Sequence, residues 1–333
     1  MITVLLLSAA VLAPQDSARL TLAGAVERAL STHPAVAVAR ANVDVATAEI
    51  GQTRAAWLPT VSLDGSVNKF QEPMIVWPLH GLDLRHPPAF DTELSQASLG
   101  AAYTLFDFGA RSSRVKAAEA QRGAADASLG ATEQQVLART VAAYLRVLTA
   151  RGVLAAEDQR VAALNSEAQR ARERLAAGKS ARVDTLRAAA ELANAPPDRV
   201  SSAASVEVAE QDLARLMDVA YDDVHGAALA PVRLTTGIDA APNDRRSLVT
   251  RASSANADVL AAERRASAAS ASIGAAKAGR LPQLQATSAI VDRGNITGRW
   301  ISEWQVGVGL SWPLFTGFAR ERAVDRAEAA ARA

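Results

Sequence analysis

Residues 33–64 read HPAVAVARANVDVATAEIGQTRAAWLPTVSLD, and residues 256–287 read NADVLAAERRASAASASIGAAKAGRLPQLQAT. The two stretches align without a gap. Ile50-Gly51 falls on Ile273-Gly274, and Leu58-Pro59 falls on Leu281-Pro282. Further on, Leu105-Phe106-Asp107-Phe108-Gly109-Ala110-Arg111 parallels Leu314-Phe315-Thr316-Gly317-Phe318-Ala319-Arg320. Each copy runs Ala-rich helix, Leu-Pro stop, strand, loop, strand, Leu-Phe turn, Ala-rich helix. A unit this long, repeated in order, points to duplication and not to a short-period solenoid. Pro59 and Pro282 end the incoming helices, because a residue before proline avoids the α region. Gly109 and Gly317 mark the passage from strand to helix.

The strands are read from period-two alternation. Trp304, Val306, Val308, Leu310, Trp312 and Leu314 alternate with Gln305, Gly307, Gly309 and Ser311. Ala97, Leu99, Ala101, Tyr103 and Leu105 do the same, and Val61 to Val67 and Leu284 to Ile290 follow more weakly. Such a pattern makes one oily and one polar face. About ten residues is the length a tilted transmembrane strand needs. All aromatic residues except Tyr144 and Tyr221 lie within 57–108 and 300–318. That placement suits membrane-interface girdles, with Trp57, Trp77, Tyr103, Trp300, Trp304 and Trp312 as candidates. A soluble sandwich core is the other reading of the strands, but the flanking Ala-rich helices offer few large groups to pack on it.

From Arg111 to Ala177 there is no proline. Val115, Ala118, Ala125 and Leu129, then Val161, Leu164, Ala168, Ala171 and Leu175, recur at coiled-coil spacings. A helix of this extent reaches roughly 100 Å at 1.5 Å per residue. It is expected to end at Gly178, with Ser180 capping a returning helix. Pro196-Pro197 is expected to interrupt that return.

Composition narrows the functions. Lys plus Arg is 36 against 35 for Asp plus Glu, which argues against a nucleic-acid binder. There is no cysteine, so thiol chemistry and disulfides are absent. His33, His80, His86 and His225 are dispersed; His80 and His86, in a proline-rich loop, read as loop polar residues and not as a metal site. No Gly-rich phosphate loop, His-x-x-x-His pair or nucleophile elbow is present, and Asp222-Asp223 reads as a solvated pair. No catalytic residue and no cofactor are expected. Residues 1–13 form an apolar run with small residues at Ala9, Ala10 and Ala13, the length of a signal-peptide core. The expected organisation is a signal peptide at 1–13 and a first repeat at 20–217. That repeat holds strands at about 60–70 and 95–106 and a helical hairpin at 111–217. A linker at 218–246 follows, then a second repeat at 247–333 with strands at about 283–291 and 304–314.

Four such strands cannot close a barrel, and an open sheet edge is not tolerated in lipid. Three chains of four strands make twelve, an even number in the known range. The fold class is therefore mainly α with a small β part: long antiparallel helical hairpins joined to four transmembrane strands per protomer. The doubled order of elements, together with the hairpin tip RLAAGKSARVDTLRA at 174–188, resembles the outer-membrane factor family of TolC-like proteins. The resemblance covers nearly the whole chain after residue 13. It implies a homotrimer with a twelve-stranded barrel in the outer membrane and a helical barrel in the periplasm. It implies work beside a periplasmic adaptor (membrane fusion) protein and an inner-membrane pump in efflux or type I secretion. Adaptor docking then falls at Gly178, Lys179, Ser180, Ala181 and Asp184. It also implies a second long hairpin, so that the chain, ending at Ala333, is expected to be a C-terminally truncated form. The alternative is a soluble periplasmic coiled-coil scaffold.

Overall fold

The computed structural model describes residues 19–75, 85, 90–232, 244–295, 298 and 300–332. The expected signal peptide, Trp77, His80 and His86 lie outside them. In chain order the elements are α1 (Leu22–Thr32), α2 (Pro34–Ala55), β1 (Thr60–Ile75), β2 (Phe90–Phe106), α3 (Ala110–Ala176) and α4 (Arg182–Met217). Then come α5 (Tyr221–His225), α6 (Arg245–Ala255), α7 (Ala257–Ala278), β3 (Gln283–Gly294), β4 (Ile301–Ser311) and α8 (Ala319–Arg332). The described fold is mostly helical with one small antiparallel sheet. The chain divides into two compact units, one of residues 1–41 with 129–253, the other of residues 42–128 with 254–333.

In the first unit, α3 and α4 form an antiparallel hairpin. Its core gathers Tyr144, Val147, Leu213, Leu216 and Met217 with Ala25 of α1 and Val224 of α5. Of the contact stripe read from the sequence, Leu129, Val161, Leu164, Ala171 and Leu175 are half-buried in this unit, and Ala168 is fully enclosed. Tyr144 is buried, and its hydroxyl lies 2.7 Å from the carbonyls of both Leu20 and Ala230, donating to one at a time. Those carbonyls flank a parallel bridge between Leu20 and Leu229. Burial pushes the Tyr144 phenol above its ordinary value, so the hydroxyl keeps its proton. Arg151 of α3 pairs with Glu210 of α4 at 2.6 Å and also donates to the carbonyls of Ala227 and Val224. Glu210 is almost wholly buried, and His225 Nδ1 sits 2.7 Å from its second oxygen. One ionic knot thus ties α3, α4 and α5.

Three local expectations need correction. Pro196-Pro197 does not interrupt α4, which runs from Arg182 to Met217 with both rings inside it. The prolines leave the carbonyls of Leu192 and Ala193 without their intrahelical donors. Packing carries the helix past them: Ala195 is fully buried, and Arg160–Asp198 and Arg199–Asp158 ion pairs join α3 to α4 just beyond. Ser180 does not cap α4; Ala181 holds that position. The Ala-rich helix before each Leu-Pro stop is not continuous but two helices. The breaks fall at His33 and Asn256, aligned positions of the repeat. His33 Nδ1 accepts from the Ala35 N–H, and Asn256 Oδ1 accepts from Asp258 and Val259. Each side chain starts a new helix, and Pro34 occupies a first position where no donor is needed.

In the second unit, the four strands form one antiparallel sheet in the order β1-β2-β3-β4. Helices of this unit approach closely. A Cβ on Gly274 of α7 would come within 2.8 Å of Ser113 Oγ on α3. Arg54 pairs with Glu119 at 2.6 Å, and Lys277 with Glu328 at 3.1 Å. The strands extend further at the loop end than alternation suggests, to Ile75 and from Phe90, because Lys69 and Glu93 interrupt the pattern yet sit opposite each other in register. β4 stops at Ser311 and not at residue 314, since Pro313 cannot donate to the ladder.

Candidate lipid-facing sheet and hairpin tip

Register assigns the regularly paired strand residues to faces. Leu63 pairs with Leu99, Leu99 with Ile290, and Ile290 with Trp304. This row crosses the whole sheet on one side, and its members are 78%, 49%, 52% and 78% exposed. The next row is Val61, Ala101, Ser288 and Val306, followed by Tyr103, Ala286 and Val308, then Leu284 and Leu310. The opposite face carries Ser62, Asp64, Ser66, Gln96, Ser98, Gln285, Thr287, Arg293, Glu303 and Gln305. There Arg293 and Glu303 form an ion pair at 3.1 Å. Water does not favour one continuous apolar sheet face of this kind. Among the described residues, both outer strands, β1 and β4, keep an unpaired edge.

The aromatic candidates sit at the two ends of this face. Trp300 precedes β4 and Trp304 lies near its start, at the loop end. Trp312 follows β4, Tyr103 lies near the end of β2, and Trp57 precedes β1, all at the helix end. Trp304 and Trp312 are eight residues apart, about 27 Å along a strand. At the usual barrel tilt that is roughly 20 Å of thickness, close to the ~25 Å apolar band of outer-membrane barrels.

At the helix end, Pro59 and Pro282 are the last residues before β1 and β3. Gly109 and Gly317 both have positive φ, 84° and 62°. These glycines are legible in the sequence, but the side chains that lock the first turn are not. Arg111 and Asp107 are 5% and 8% exposed and form an ion pair at 3.0 Å. Asp107 also accepts from the backbone N–H groups of Gly109 and Arg111. The Arg111 guanidinium lies 4.3 Å from the Trp57 ring centre and 5.8 Å from that of Tyr103. The i, i+4 spacing of Asp107 and Arg111 was the available signal.

The hairpin tip belongs to the first unit. Gly178 has φ 69°. Its N–H reaches the Leu175 carbonyl, and the Lys179 N–H reaches that of Arg174, which closes α3 with a left-handed cap. Asp184 Oδ2 accepts from the Ala181 N–H at 3.3 Å. Lys179, Ala181 and Asp184 are exposed and Ser180 is half-buried. Among the described residues no helix is long and apolar enough to cross a membrane, and no three His, Cys, Asp or Glu side chains converge as metal ligands.

Comparison with known proteins agrees with this architecture. The chain is 26% identical over 317 residues to the outer membrane efflux protein BepC of Brucella suis biovar 1, covering 94% of this chain and 64% of that protein. It is 30% identical over 221 residues to the protein CyaE of Bordetella pertussis, covering 64% of this chain and 42% of CyaE. The chain thus spans less than two thirds of the length of these curated relatives. A membrane protein from Pseudomonas aeruginosa of known crystal structure superimposes with a TM-score of 0.76 at 23% identity, over 93% of this chain and 71% of that one. Residues 25–218 and 248–333 match the family described as Outer membrane efflux protein, and the chain belongs to that family.

Proposed function

We propose that this chain is the outer-membrane channel component of a tripartite efflux or type I secretion assembly, a passive conduit for exported solutes. The carrying observation is the sheet: one face of exposed apolar rows, one polar face, and two unsatisfied edges. In lipid those edges need partners. β1 and β4 run in opposite directions, so β4 of one copy meets β1 of the next as an antiparallel pair. Three copies close a twelve-stranded barrel with the polar face inward. Trp300 and Trp304 form one interfacial girdle, and Trp57, Tyr103 and Trp312 form the other, with Trp77 a further candidate. The helices that leave the strands build the periplasmic duct, and selectivity rests with the inner-membrane pump. The tip at Gly178, Lys179, Ser180, Ala181 and Asp184 receives the periplasmic adaptor. The repeats take residues 20–217 and 247–333, joined by the segment 218–246, and residues 1–13 act as an export signal. A soluble periplasmic scaffold is disfavoured, because it would leave the Leu63–Leu99–Ile290–Trp304 row in water.

The test is fractionation followed by conductance. The protein is expected in detergent-extracted outer membranes as an oligomer that dissociates on heating, and to raise the conductance of a planar bilayer. Recovery as a water-soluble monomer with no surfactant would sink the reading.

A further inference from the structure

Four arginines tie the two helices of the hairpin together. Away from the tip, Arg146, Arg151, Arg160 and Arg199 each pair with a carboxylate on the facing helix: Asp212, Glu210, Asp198 and Asp158. At the tip, among the described residues, no such pair crosses between the helices. Arg170, Arg172, Arg174, Lys179, Arg182 and Arg187 are all exposed, and none forms an ion pair with a described residue. Only two carboxylates lie within 170–187, and both are engaged by neutral donors. Asp184 takes the Ala181 N–H, and Glu173 takes the Gln169 side-chain amide at 3.0 Å. Eighteen residues therefore carry an excess of four positive charges on a chain whose total is +1. Between Arg182 and Arg187, the side chains of Val183 and Leu186 stand half in solvent or more, three residues apart on one face of α4.

We infer that this tip is a docking surface for an acidic protein partner, a helical end that presents a surplus of carboxylates around a small apolar contact. The inference rests on reading the tip as the adaptor site and adds the partner's chemistry. Five of the six cations are guanidinium groups, whose planar forks match carboxylates in pairs. Their uncompensated field extends about one Debye length, ~8 Å at physiological salt, and attracts an opposite patch before contact. Val183 and Leu186 supply the dry centre and the cations the rim, the usual division of an interface. A lipid surface fits less well. Helices that lie in membrane interfaces bring large apolar anchors, often Trp or Phe, and no aromatic residue occurs between Tyr144 and Tyr221.

The experiment uses the full chain in detergent and three probes. They are a synthetic two-helix hairpin with four glutamates at its tip, the same hairpin with glutamines, and phosphatidylglycerol vesicles. The glutamate hairpin is expected to bind about tenfold or more tightly than the glutamine one, and to weaken steeply between low and high salt. The variant Arg172→Gln/Arg174→Gln/Lys179→Gln/Arg182→Gln, checked for unchanged helicity and oligomer stability, should lose most of that preference. Equal binding of both hairpins, or binding indifferent to salt and to the variant, overturns the inference. So does a vesicle affinity above that of the glutamate hairpin. If Leu186→Asp abolishes hairpin binding while the charge variant does not, the tip remains a docking site but not one selected by acidity. Failure of the duct reading shows separately, as absence of a heat-modifiable membrane oligomer in the unaltered chain.

Discussion

At Phe108-Gly109 and at Gly317-Phe318 the chain makes the same turn, two consecutive residues with positive φ, with the glycine second in one copy and first in the other. Side chains lock the two turns differently. The first holds a buried carboxylate–guanidinium pair roofed by Trp57. In the second, Thr316 replaces Asp107 and Arg280 replaces Trp57 in the repeat alignment. Arg320 Nε donates to Thr316 Oγ1 at 3.3 Å, and its other nitrogens reach the carbonyls of Arg280 and Pro313. Trp312 donates to the Arg280 carbonyl at 3.1 Å. Leu314, Phe315 and Phe318 stand well exposed. One backbone path can therefore be held by different side-chain contacts, provided the residues that permit positive φ stay in place.

Substitutions at the two junctions test that contrast. The readouts are the temperature at which the solubilised oligomer dissociates and urea unfolding followed by tryptophan fluorescence. Asp107→Ala should do the most damage, about 3 kcal/mol or more, because it strands a buried guanidinium; the contrast fails if Thr316→Ala costs as much. Arg111→Lys should cost about 2 kcal/mol by losing the carboxylate fork and the Trp57 stack, whereas Arg320→Lys should cost under ~1 kcal/mol. Gly109→Ala and Gly317→Ala should each cost about 1 kcal/mol, since both need a left-handed backbone. Unequal losses there would show that the turns are not equivalent. Thr316→Asp should have the smallest effect, a gain below ~1 kcal/mol from an exposed pair with Arg320. A larger gain would mean that this junction is drier than its exposure indicates.

Much of the fold was legible because period-two alternation and the repeat are long-range signals. The sheet rows follow from them once register is known. The misses share a cause. His33 as a helix start and the Asp107–Arg111 pair each depend on one side chain finding one partner, and the survival of α4 through Pro196-Pro197 depends on packing and ion pairs with α3. No periodicity reports that. The tip shows the same limit. Its glycine and its Asp184 are visible in sequence, but that its six cations form no ion pair with a described residue emerges only from the placement of the carboxylates around them.

The sheet's strand parity carries a consequence for stoichiometry. A subunit that enters and leaves the wall in opposite directions joins its neighbours identically whether two, three or four copies circle the axis. Strand polarity therefore imposes no number on the ring. The count must be set by curvature, through the stagger between neighbouring sheets and the girth of the helices below them.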